Sequence, residues 1–103
     1  MERIRSIYED DPDMAELVQS SVADLAQRVE TLEELLTEGN LRELERLAHQ
    51  LKGAGGGYGF PQVTEVAASL EQSLKEGAPE LVVKERTGSL CELLRAVQAP
   101  ENG

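Results

Sequence analysis

Residues 41–60 read LRELERLAHQLKGAGGGYGF. On a helix advancing about 100° per residue, Leu44, Leu47, Leu51, Ala54 and Tyr58 all fall within about 40° of one direction. His49, the only histidine of the chain, points the opposite way. Within about 60° of it lie Arg42, Glu45, Arg46, Lys52, Gly53 and Gly56. The segment reads as an amphipathic helix, with Leu41 joining its apolar stripe. Such a stripe is stable in water only when other elements cover it.

The covering elements are legible on either side. Upstream, Val18, Val22, Leu25, Val29, Leu32 and Leu36 recur at alternating spacings of four and three. That is the seam of a helix packing lengthwise against neighbours at a shallow angle. Asp11-Pro12-Asp13 supplies a cap and a first-turn proline, and Gly39-Asn40 supplies the stop. Downstream, Pro61 opens a third helix whose stripe is Val63, Val66, Ala67, Leu70 and Leu74, closed by Gly77. Pro79 opens a fourth, with Val82, Leu90, Leu93, Leu94 and Val97 as its apolar contacts. Ile4, Ile7 and Tyr8 suggest a brief helix in front. The expected elements are a short N-terminal helix over about 2–9 and bundle helices over about 12–38, 41–58, 61–76 and 79–98. Residues 100–103 are expected to fray. Connections of a few residues make successive helices antiparallel, so the fold expected is an all-α, up-down four-helix bundle forming one domain over 1–103.

Composition agrees. A chain of 103 residues, 40% hydrophobic and 3% aromatic, can bury one core and draws on the Leu, Val and Ala palette of helix packing. A net charge of −10 disfavours nucleic acid and anionic membrane surfaces as partners. Most of that charge is accounted for by solvated helix faces. Cys91 is alone, which rules out an internal disulfide, and its leucine neighbours mark it as a small buried hydrophobe. Residues 1–13 lack the apolar stretch of a signal peptide, and no run approaches a membrane span. The expectation is a soluble, cytoplasmic domain.

An exposed histidine is ordinarily just a polar surface residue. Here two glycines, Gly53 and Gly56, stand on its face inside a helix, each at a cost of about 1 kcal/mol relative to alanine. Glycine is tolerated where a backbone or a partner must come close. Lys52, one turn away, can reach a group attached to the ring. On the third helix Thr64, Ala68, Glu71 and Lys75 form one row flanking the core stripe. From that row Glu71 can accept a hydrogen bond from the Nδ1–H of His49, which would fix the tautomer with the Nε2 lone pair outward. At neutral pH an ordinary histidine, with a pKa of about 6.5, is mostly an uncharged nucleophile.

The run His49-x-Leu51-Lys52-Gly53, followed by Gly59-Phe60, Val63, Val66-Ala67 and Leu70-Glu71, closely resembles the histidine phosphotransfer (HPt) domain family. The motif covers about a quarter of the chain. The resemblance implies a relay protein of two-component signalling, with no catalytic turnover of its own. A receiver aspartate or a sensor or hybrid histidine kinase would phosphorylate the histidine, which passes the group to a response-regulator receiver. By position His49 is similar to the phosphoacceptor, Lys52 and Lys75 to basic residues that stabilise the phosphoryl group, and Glu71 to a residue that orients the imidazole. Arg42, Glu45, Arg46, Gly53 and Gly56 would form the receiver-docking surface. The resemblance implies no metal and no cofactor on this chain, Mg²⁺ being expected on the receiver only. It implies no nucleic acid, no membrane and, by the family's default, a monomer. The stretch Ala54-Gly55-Gly56-Gly57-Tyr58 departs from the small and apolar residues usual there, and it is expected to loosen the helix end.

Other classes fit less well. A Walker loop needs its lysine after the glycines, and here Lys52 precedes them. Gly-x-Gly-x-x-Gly fails in every frame, because Tyr58, Phe60 or Gln62 takes the last place. One histidine and one distant cysteine make no metal site, and a Cys91–His49 pair would need the cysteine out of its apolar face. The alternative kept is a helical adaptor that binds a receiver or kinase without carrying phosphate.

Overall fold

The computed structural model of the chain describes residues 4–5 and 12–98. Four helices, α1 (Pro12–Glu38), α2 (Leu41–Gly57), α3 (Pro61–Lys75) and α4 (Glu80–Ala96), form an up-down bundle. Each helix packs on its neighbour in sequence and α1 closes the ring against α4; the α2–α3 interface is the most extensive. Leu25, Val29 and Leu32 of α1 meet Leu44, Leu47 and Leu51 of α2, Val63, Ala67 and Leu70 of α3, and Leu90 and Leu94 of α4. Each is buried, and an internal leucine of this kind contributes about 2–5 kcal/mol judged by truncation to alanine.

The short turns follow from local chemistry. Gly59 has φ 81°, a left-handed conformation costly for any residue with a Cβ. It lets the Phe60 N–H reach back to the Gly55 carbonyl at 2.8 Å, closing α2 in a Schellman motif. The glycine stretch that was expected to loosen is therefore helical through Gly57. Gly39, with φ 70°, ends α1 in the same way, and the Asn40 side chain then caps α2 by accepting from the Glu43 N–H.

Four expectations change. The helix over 2–9 lies mostly outside the described residues, and its described part, Ile4–Arg5, is extended and pairs in parallel with Val97–Gln98. The fourth helix stops at Ala96 rather than 98, because Val97, β-branched and buried, turns to an extended conformation at ψ 138°. Leu41 is half exposed, since at the first position of α2 it lies beyond the end of the core. On α4 the inward stripe runs through Val83 and Thr87 instead of Val82. Thr87 is buried without penalty because its hydroxyl donates to the Val83 carbonyl at 2.8 Å. Cys91 is buried beside them, and burial pushes its thiol pKa up.

Candidate functional site

Because α2 buries Leu44, Leu47, Ala48 and Leu51, it must turn His49 outward. The His49 side chain keeps 66% of its surface exposed, yet one ring nitrogen is held. Nδ1 lies 2.7 Å from Oε2 of Glu71, which reaches across from α3. Glu71 itself is buried, with 6% of its side chain exposed. Its other oxygen, Oε1, accepts from Lys52 Nζ at 2.7 Å, and Lys75 Nζ stands 3.5 Å from Oε2, one turn further along α3.

A carboxylate can be buried only when its charge is paired and its lone pairs are bonded. Three basic groups do this for Glu71. The Lys52 ammonium contributes most and the His49 hydrogen bond comes next, with the charges of Lys52 and Lys75 behind them. Against the opposing effect of burial they hold the carboxyl at about 2. A carboxyl ionised at neutral pH has no proton to give, so the hydrogen in the 2.7 Å contact belongs to Nδ1. In the neutral ring the lone pair is then on Nε2, and the free end of the ring is its nucleophilic end.

The sign of the pH effect follows. A carboxyl at about 2 in the folded chain and 4.5 ordinarily adds stability that is fully present above about pH 4.5 and lost as pH falls through about 2. The loss approaches about 3 kcal/mol. Urea unfolding of the parent and of Glu71→Gln should therefore differ most above pH 5, with the difference shrinking towards pH 2.5. A difference independent of pH would show that Glu71 carries no such load.

Arg42, Glu45, Arg46, Gln50 and Lys75 line an open depression of about 480 Å³ with His49 and Glu71. Glu71 pairs with two ammonium groups, those of Lys52 and Lys75, which makes a locally positive spot on a chain of charge −10. Gly53 and Gly56 are exposed on α2. A Cβ on Gly53 would meet nothing within 4 Å, so packing does not require glycine there. Lys52 and Lys75 are both paired with Glu71 and both stay partly exposed, so each ammonium keeps donors for a further anion. The close-approach glycine is one that the helical wheel does not single out, Gly55. A Cβ there would lie 2.8 Å from the Thr64 amide nitrogen. Ala48 and Gly55, small residues seven apart on one side of α2, are the sequence signal for that contact.

Among the described residues no cluster of three or more His, Cys, Asp or Glu side chains is placed to hold a metal ion. Among them, too, no helix is long and apolar enough to cross a membrane.

An α-helical bundle presenting a carboxylate-clamped histidine on its outer face is the arrangement expected of a phosphotransfer module. The chain belongs to the Hpt domain family, whose model matches residues 16–100 and so spans the site and nearly all of the bundle. Hpt domains are the phosphotransfer modules of two-component phosphorelays. No curated protein and no solved structure matches the chain.

Proposed function

We propose that His49 accepts a phosphoryl group on Nε2, from a receiver aspartyl phosphate or from a histidine kinase, and returns it to a response-regulator receiver. The observation that carries this reading is the exposed ring fixed by a buried carboxylate at Nδ1. With a receiver as donor, the Nε2 lone pair attacks phosphorus, the P–O bond to the aspartate breaks, and the aspartate leaves as a carboxylate. The Nδ1 proton stays in place, and Glu71 offsets the positive charge that the ring acquires. Lys52 and Lys75 offset charge on the phosphoryl oxygens. Mg²⁺ belongs, in this reading, to the receiver, as does most of the positioning. Arg42, Glu45, Arg46, Gly53 and Gly56 form the surface on which the receiver docks. The domain acts as a cytoplasmic monomer and turns nothing over by itself.

The test is the chemistry of the label. Incubation with a receiver carrying radioactive phosphate should leave label on this chain that is lost in acid and kept in alkali, as a phosphoramidate requires. Label that survives acid would place the phosphoryl group on another kind of residue and overturn the proposal.

A further inference from the structure

The His49–Glu71 contact joins two helices, so its length depends on how closely they approach. One turn or more away from it, the Thr64 hydroxyl donates to the Lys52 backbone carbonyl at 2.8 Å. A helix carbonyl has a second lone pair for such a donor, so the bond need not disturb α2. Thr64 reaches this carbonyl because Gly55 has no side chain. A Cβ there would stand 2.8 Å from the Thr64 nitrogen, 2.9 Å from its Oγ1 and 2.9 Å from Val63 Cβ. Backbone at that distance must shift. Lys52 is thus tied to α3 at both ends, by its carbonyl to Thr64 and by its ammonium to Glu71 at 2.7 Å.

We propose that Thr64, admitted by Gly55, is a positioning residue that sets the separation of α2 and α3 required for the His49–Glu71 hydrogen bond. The hydroxyl crosses to the neighbouring helix rather than serving its own. The first turn of α3 has no side-chain cap at Phe60, and Thr64 makes its bond to α2 instead. Glu71 lies seven residues along the same helix, about 10 Å away. Loosening the start of α3 therefore lets its carboxylate drift from Nδ1. A hydrogen bond of this kind weakens steeply with distance and angle.

The consequence is readable in the ring itself. In mildly alkaline buffer, nitrogen–proton spectra of the parent chain should show His49 almost wholly as the Nδ1–H tautomer. Thr64→Val keeps the shape and removes the hydroxyl. It should raise the share of Nε2–H several-fold and slow phosphoryl acceptance by up to about twofold, because the lone pair is then more often on the wrong nitrogen. Thr64→Ser should restore both. Val83→Ala, a cavity at the other end of the bundle, should lower the melting temperature and leave the ring spectrum alone. Thr64→Val with the parent's tautomer ratio would overturn the proposal. The rate readout rests on His49 as phosphoacceptor, whereas the spectrum does not. A parent chain that takes up no phosphoryl group would sink that reading and leave the positioning role to be decided by the tautomer.

Discussion

Replacing His49 by glutamine should leave the chain unable to accept phosphoryl label, while it folds and binds a receiver as the parent is proposed to do. The fold is spared because the His49 side chain is two-thirds exposed and belongs to no core contact. A surface change that breaks no buried network ordinarily moves stability by no more than about 0.5 kcal/mol. The glutamine amide can still donate to Glu71, so the buried carboxylate is not left without a partner on that side. What is lost is the nitrogen lone pair. An amide nitrogen is delocalised and no nucleophile, so the loss of label is complete rather than partial. Unfolding curves, receiver titration and label transfer, run together, separate the readings. Label persisting on His49→Gln would remove the relay. A variant that performs every role of the parent without taking label would instead favour an adaptor.

Gly53→Leu should move stability and binding in opposite directions. Leucine is the better helix former by about 0.8 kcal/mol, and a Cβ at position 53 meets nothing within 4 Å, so the variant should melt at the same temperature or higher. Receiver affinity should fall by about tenfold to a hundredfold. An isobutyl group one turn from His49 holds an incoming surface away from the ring, and overpacking of this kind costs about 1–3 kcal/mol. Calorimetric titration against a receiver, beside a thermal melt, checks both halves. Undiminished affinity would place the docking surface elsewhere.

These expectations draw on residues of two kinds. The outward direction of His49, the presence of the four bundle helices and the reach of Glu71 were legible from the period of about 3.6 residues, because each is a property of one helix or of two stripes facing each other. What was not legible depended on distances between helices. Gly53 and Gly56 drew notice as neighbours of His49 on a helical wheel. Only the packed bundle shows that Gly55 is the glycine pressed against α3. Lys52 was expected to reach a group on the ring; that its ammonium also pairs with the carboxylate that holds the ring depends on the approach of α3. On α4 an apolar pattern cannot register Thr87, whose hydroxyl is satisfied within its own helix, so the stripe was placed on Val82 rather than Val83.

Glu71 belongs to one helix and the ring that it clamps to another. No single segment of this chain holds the histidine ready. A partly folded chain, with α3 detached, carries an ordinary imidazole in both tautomers, without the carboxylate that steadies its charge. Reactivity therefore appears together with tertiary structure and disappears with it. With His49 as the proposed phosphoacceptor, that dependence would act as fidelity control: an immature or damaged copy would draw little phosphate from the relay, and so transmit little false signal.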